Sequence, residues 1–162
     1  MTLSRLVPIV LIALAACGGR APAPVAGPAP DTTPPAPPMR RDTNPRASLY
    51  HRLGGIEAIT AVVDNFVARI TSDPRISAFF AGLDMRDIKA KLVAQFCNIT
   101  RGGCRYYGRS MREAHADLDI KEQHFNALVE DLIAALDHFQ VPEQEKNELL
   151  ALLAPMKRDI VR

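Results

Sequence analysis

Tryptophan is missing from this 162-residue chain, and six Phe with three Tyr are its whole stock of aromatic rings. Strands favour aromatic and β-branched side chains, so this scarcity beside plentiful Leu, Ile, Val and Ala leans towards helices. A dominant charge is lacking too: 20 Lys and Arg against 18 Asp and Glu leave a net +2. That is far from the basic field of a nucleic-acid-binding domain, and no nucleic-acid partner is expected. The apolar run near the N-terminus falls short of the about 20 residues that cross a bilayer. There is no Cys-x-x-Cys, no His-x-x-x-His, and only four scattered His, which argues against a structural zinc site. Neither a strand-to-helix nucleophile turn nor a phosphate-cradling glycine loop is present.

What is there begins with a targeting segment, set apart before any fold reasoning. Met1 to Arg5 carry one positive charge, an apolar run follows, and Leu14-Ala15-Ala16-Cys17 has the form of a bacterial lipoprotein cleavage box. Residues 1–16 read as a signal peptide and Cys17 as a lipidated residue, so the expected location is the periplasm or cell surface, anchored to a membrane. An ordinary secretory signal with an incidental cysteine is the alternative. Nine of the 13 Pro fall between Gly18 and Pro45, among Ala, Gly and Thr. Residues 17–45 read as a semi-rigid tether, reaching roughly 85 Å at about 3.1 Å per residue.

From residue 46 to 162 the pattern is helical. Ile56, Ile59, Val63, Phe66 and Ile70 recur at three and four residues, as do Met85, Ile88, Leu92, Phe96 and Ile99, each set marking one apolar face. Phe125, Leu128, Leu132 and Leu136 form a third face, and Leu149, Leu152, Leu153, Met156 and Ile160 a fourth. Asp84, an Asp119/Glu122 pair and Pro142 are expected near helix starts. Gly54-Gly55 and Gly102-Gly103 separate elements. Ser110-Met111-Arg112-Glu113 is a capping-box pattern, so a short helix should begin there, with Met111 and His115 four apart on one face. A lone inward imidazole can hold a haem iron; from spacing alone, a structural histidine is the commoner explanation.

The chain from Ser48 to about Val161 resembles a group I truncated haemoglobin, an all-α, two-over-two helical sandwich around haem. The resemblance is carried by Leu49-Tyr50-His51-Arg52-Leu53-Gly54-Gly55, Phe79-Phe80 before Asp84-Met85, the Gly102-Gly103 turn, and Gly108-Arg109-Ser110-Met111-Arg112-Glu113-Ala114-His115. It implies haem b with His115 as iron ligand and Phe80, Phe96, Met111, Phe125 and Leu128 about the cofactor. It implies oxygen, nitric oxide or carbon monoxide as ligands, an unidentified reductant, and nitric oxide dioxygenation as an activity open to the family. A monomer is expected. Many members carry a Tyr where this chain has Val67, and often a polar residue where it has Ile88 or Leu92. The usual hydrogen-bond donor, worth about 1 kcal/mol, is therefore absent. Lys91 either reaches solvent and a haem propionate or, deprotonated, supplies a sixth ligand. The second case would make an electron-transfer or redox-sensing haem protein. His51, His124 and His138 are assigned surface or packing roles.

Cys97 and Cys104 remain. In an unbroken helix seven residues span about 10.5 Å, beyond the about 7 Å Cα separation of a disulfide. With Gly102-Gly103 ending the helix, and export to an oxidising compartment, a disulfide becomes feasible; two free buried thiols are the alternative.

Overall fold

A computed structural model describes residues 41–162; the expected signal peptide, Cys17 and the expected tether up to residue 40 lie outside the described residues. The regular elements among these are all helical. In order they are α1 (Leu49–Leu53), α2 (Gly55–Ser72), a 3-10 turn (Ser77–Phe80), α3 (Met85–Ile99), α4 (Met111–Ala114), α5 (Glu122–His138), α6 (Glu143–Leu153), a second 3-10 turn (Ala154–Met156) and α7 (Lys157–Ile160).

The central packing is α2 against α3 and α5, with α1 on α6 and α4 on α7. Helix α2 buries Ile59, Val62, Val63, Phe66, Val67 and Ile70, a stripe at helical spacing that seals against Phe96, Leu132, Leu136 and Leu149. Each such side chain contributes about 1.5–3 kcal/mol on burial. Ile56, in phase with that stripe, is instead 43% exposed. It sits in the first turn of α2, on the rim of an open groove shared with Val93 and Tyr107, where no described residue covers it.

Two boundaries differ from the spacing. The fourth apolar face is not one helix, because Pro155 has no N–H to donate and crowds the preceding turn. The chain tightens there into the second 3-10 turn and restarts as α7, leaving Leu152 39% exposed. Helix α5 starts at Glu122, not at Asp119. The Asp119 carboxylate is held by Lys121 Nζ at 2.5 Å, and the Lys121 backbone N–H donates to His124 Nδ1 at 3.2 Å. Asp84 caps α3 by accepting from the Arg86 N–H, and Pro142 precedes α6.

Ordered contacts begin ahead of residue 46. The Arg41 guanidinium donates to the carbonyls of Gln140, at 2.7 Å, and Phe139, where a cation satisfies the end of α5. Between α1 and α6, Arg52 is 6% exposed and pairs with Glu145 at 2.7 Å and with Glu148. Gly54, at φ 103°, lets α1 turn directly into α2. Gly102 is required for space, since a Cβ there would lie 2.4 Å from the Tyr50 ring and 2.6 Å from Cys97 Sγ.

Candidate functional site

A four-residue helix does not persist by itself, so what holds α4 decides where His115 sits. The Ser110 Oγ accepts from the Glu113 N–H at 3.3 Å, while the Glu113 carboxylate accepts from the Ser110 N–H at 3.0 Å and hydroxyl at 2.7 Å. Those hydrogen bonds hold the Glu113 carboxyl below the ordinary range. On the far side Arg112 reaches Asp159 of α7 at 2.5 Å. His115 ends the helix, half-buried, with its Nδ1 2.7 Å from the Met111 carbonyl oxygen.

A carbonyl oxygen only accepts, so Nδ1 is the donor in this contact; in the neutral imidazole Nε2 then keeps its lone pair for a metal, the arrangement by which a second partner fixes a histidine ligand's tautomer and orientation. Among the described residues no three His, Cys, Asp or Glu side chains gather as a metal site. A single nitrogen donor suits a metal whose other ligands come from a macrocycle, and apolar side chains that the protein leaves incompletely buried could cover one. Phe80, Ile88, Leu92, Met111, Phe125, Leu128 and Met156 are all half-buried, while the core stripe of α2 is closed. Phe80, Leu92 and Leu128 border that core, and Lys157 Nζ lies 5.8 Å over the Phe125 ring while pairing with Glu122 at 2.5 Å.

The residues expected at the site are placed unevenly. Val67 and Phe96 are each 3% exposed and belong to the helix core; Phe96 borders a void of about 10 Å³ with Leu136 and Leu149. Lys91 pairs along its own helix: its Nζ lies 2.5 Å from Asp87 Oδ2, one turn back on α3, and the side chain is part exposed. His124 has its ring 5.0 Å from that of Phe79.

Two contributors escaped the sequence reading. Gln95 is buried on α3, with Nε2 3.1 Å from Met156 Sδ and 3.8 Å from Met111 Sδ. Its signal was its register, three residues after Leu92 and seven after Ile88, on the face that the spacing traced through Phe96. Met156 counted only as part of a helix face, and Pro155 redirects it. Cys97 and Cys104 are joined by a disulfide with Cα atoms 5.6 Å apart, and Asn98 Nδ2 donates to the Cys104 carbonyl at 2.8 Å. The bridge ties the end of α3 to the segment that leads to α4.

Known proteins resemble this chain in sequence and fold. Residues 48–162 match the bacterial-like globin family. The group 1 truncated hemoglobin of Synechocystis sp. is 40% identical over 121 residues, which are 71% of this chain and 98% of that protein. Among solved structures, the truncated hemoglobin of Tetrahymena pyriformis in its Fe(III) form superposes with a TM-score of 0.69 at 28% identity, covering 71% of this chain and 98% of that one. The 2/2 hemoglobin of Synechococcus sp., in the cyanomet state with covalently attached heme, gives 0.68 at 30% identity over the same shares. Matched over most of its length by family and relatives alike, the chain belongs to the bacterial-like globins, with the fold of a truncated two-over-two globin.

Proposed function

We propose that this globin carries haem on His115 and binds diatomic gases, oxygen or nitric oxide, while tethered to a membrane from outside the cytoplasm. The observation that carries the reading is the Nδ1 contact of His115 with the Met111 carbonyl, 2.7 Å, which leaves Nε2 available as a nitrogen donor. Haem supplies the iron that captures a diatomic reversibly. The protein's part is to orient the imidazole through α4, to enclose the macrocycle with Phe80, Met111, Phe125 and Leu128, and to keep water from the opposite side with Ile88 and Leu92. No hydroxyl stands at Val67, so oxygen leaves faster here than from a relative with tyrosine at that position. Lys91 is committed to Asp87, which favours a rim role near the propionates over a place on the iron. Nitric oxide dioxygenation would need an external reductant.

Anchoring rests on the lipoprotein-type box at Cys17 and the proline-rich stretch after it; one such domain per chain, acting as a monomer, completes the proposal. Haem titration of the purified protein tests the reading: a Soret band should saturate at one haem per chain, and the ferrous form should shift on adding carbon monoxide. No Soret band at any haem concentration overturns it. Cys17→Ser should move the protein from the membrane to the soluble fraction, and an unchanged distribution counts against the anchor.

A further inference from the structure

Residues 99–112 hold four Arg and no Asp or Glu, in a chain whose net charge is only +2. Between α3 and α4 exposure alternates residue by residue. Arg101, Gly103, Arg105, Tyr107 and Arg109 face solvent, while Gly102, Cys104, Tyr106 and Gly108 are half-buried, the pattern of an extended chain. Every inner residue is engaged. Gly102 lies against Tyr50 and Cys97, and a Cβ on Gly108 would strike the Tyr106 ring. Cys104 is bridged to Cys97 and its carbonyl accepts from Asn98, and the Tyr106 hydroxyl donates to the Arg109 carbonyl at 3.0 Å. The outer side chains are not engaged. Among the described residues Arg101 and Arg105 have no ion pair and no side-chain hydrogen bond, and Arg109 has only a longer-range attraction to Glu113, whose carboxylate is already held by Ser110. Tyr107 is 67% exposed. Arg105 and Tyr107 also edge the groove that leaves Ile56 uncovered, where the other cation, Lys89, is paired with Asp64 at 2.7 Å. Water suits an unpaired Arg. An open tyrosine ring and an uncovered Ile beside it suit a surface that is charged outside and apolar beneath.

We propose that the outer side of segment 101–109 seats on an anionic lipid surface, with Arg101, Arg105 and Arg109 on headgroup phosphates and Tyr107 in the interfacial layer. The inference rests on the membrane reading above for a bilayer within reach, and on the segment's own residues for the contact. Guanidinium groups pair with phosphate oxygens through two N–H donors, tyrosine favours the membrane–water interface, and basic clusters are drawn to anionic leaflets. The disulfide and the inner contacts hold the segment in shape beforehand, which lowers the ordering cost of binding. An acidic protein offers the same charge. The lipoprotein-type box at Cys17 favours the bilayer, because a domain tethered there meets it at high effective concentration.

The chain lacks Trp, so Tyr107→Trp supplies a single fluorescent reporter. The purified full chain is reconstituted with vesicles of phosphatidylcholine alone or with added phosphatidylglycerol, each with or without bromine on the acyl chains, which quenches only a nearby indole. Emission should move to shorter wavelength and be quenched by bromine in anionic vesicles, and do neither in neutral ones. Adding Arg101→Gln, Arg105→Gln and Arg109→Gln should lower the ratio of seated to free segment about a hundredfold, at about fivefold per charge, with circular dichroism and vesicle retention unchanged. Salt at about 0.5 M should act in the same direction by screening. Emission alike in both vesicle types, or an anionic effect that survives the three replacements, overturns the proposal. So does a response to soluble polyglutamate without a response to vesicles, which assigns the segment to an acidic protein. A chain that floats with both vesicle types while its reporter stays silent sinks the segment's role alone. A chain that floats with neutral vesicles no better than buffer, yet responds to anionic ones, sinks the anchor alone.

Discussion

Replacing Ser110 with Ala acts on the helix that aims His115. The hydroxyl is the acceptor for the Glu113 N–H, at 3.3 Å, and donates to the Glu113 carboxylate, at 2.7 Å. After truncation the carboxylate keeps only the Ser110 N–H, at 3.0 Å. A side-chain cap of this kind is worth about 1 kcal/mol. In a long helix that loss would be shared, but α4 has four residues, and the remaining anchors are the Arg112–Asp159 pair, largely open to solvent on the Arg112 side, and contact with α7. Exposed ion pairs contribute less than a cap, so the loss falls on the orientation of His115. If bound haem requires the formed turn and the haem-free state does not, haem affinity falls by the same about 1 kcal/mol, or about fivefold. Transfer of haem to an excess of a haem-free acceptor measures it. Ser110→Ala should lose haem several-fold faster than wild type, and Ser110→Thr, which retains a capping oxygen, should lie close to wild type. Equal transfer rates for all three would refute the dependence of the ligand on its cap.

Other expectations follow from the same contacts. Cys104→Ser removes the bridge through its half-buried end, sparing the fully buried Cys97; closing so short a loop is worth about 2.4 kcal/mol, so the thermal midpoint should fall by roughly 10 °C, and a fall under about 2 °C in an oxidised sample contradicts a stabilising bridge. Val67→Tyr, scored by stopped-flow oxygen dissociation, should slow release several-fold, since it adds a hydroxyl worth about 1 kcal/mol; an unchanged rate means residue 67 does not address the ligand. Hydrogen bonding from Arg75 holds the Asp73 carboxyl below its ordinary range. A lowered folded pKa stabilises above the unfolded value, about 4, and that contribution disappears as pH falls through the folded one. Arg75→Met should therefore move acid unfolding, followed by circular dichroism, to higher pH, and identical profiles would contradict the coupling.

Spacing made the helical architecture legible where chemistry is local. The stripe Ile59, Val63, Phe66 and Ile70 closes the core, and the Ser110/Glu113 box, written in four consecutive residues, forms as its pattern implies. Legibility fails where partners are distant in the chain. Gln95 meets Met156 across 61 residues, and Arg41 meets Gln140 across 99, so neither contact could be placed from periodicity. Asp119 shows a local failure of another kind. Its capping pattern does not form: α5 begins at Glu122, and the Asp119 carboxylate lies beside Lys121 Nζ. His115 lies between these cases: its capped turn is readable from residues 110–115, but the proton on Nδ1 follows only from the folded position of the Met111 carbonyl.

The most direct test of His115 as the iron ligand is the absorption spectrum of haem-loaded His115→Gly in ferric, ferrous and carbon monoxide forms, before and after adding imidazole. Wild type should show a histidine-ligated ferrous spectrum, five-coordinate if Lys91 stays with Asp87. The variant should lose that spectrum, and free imidazole should restore it. A variant whose three spectra match wild type without imidazole would contradict the account.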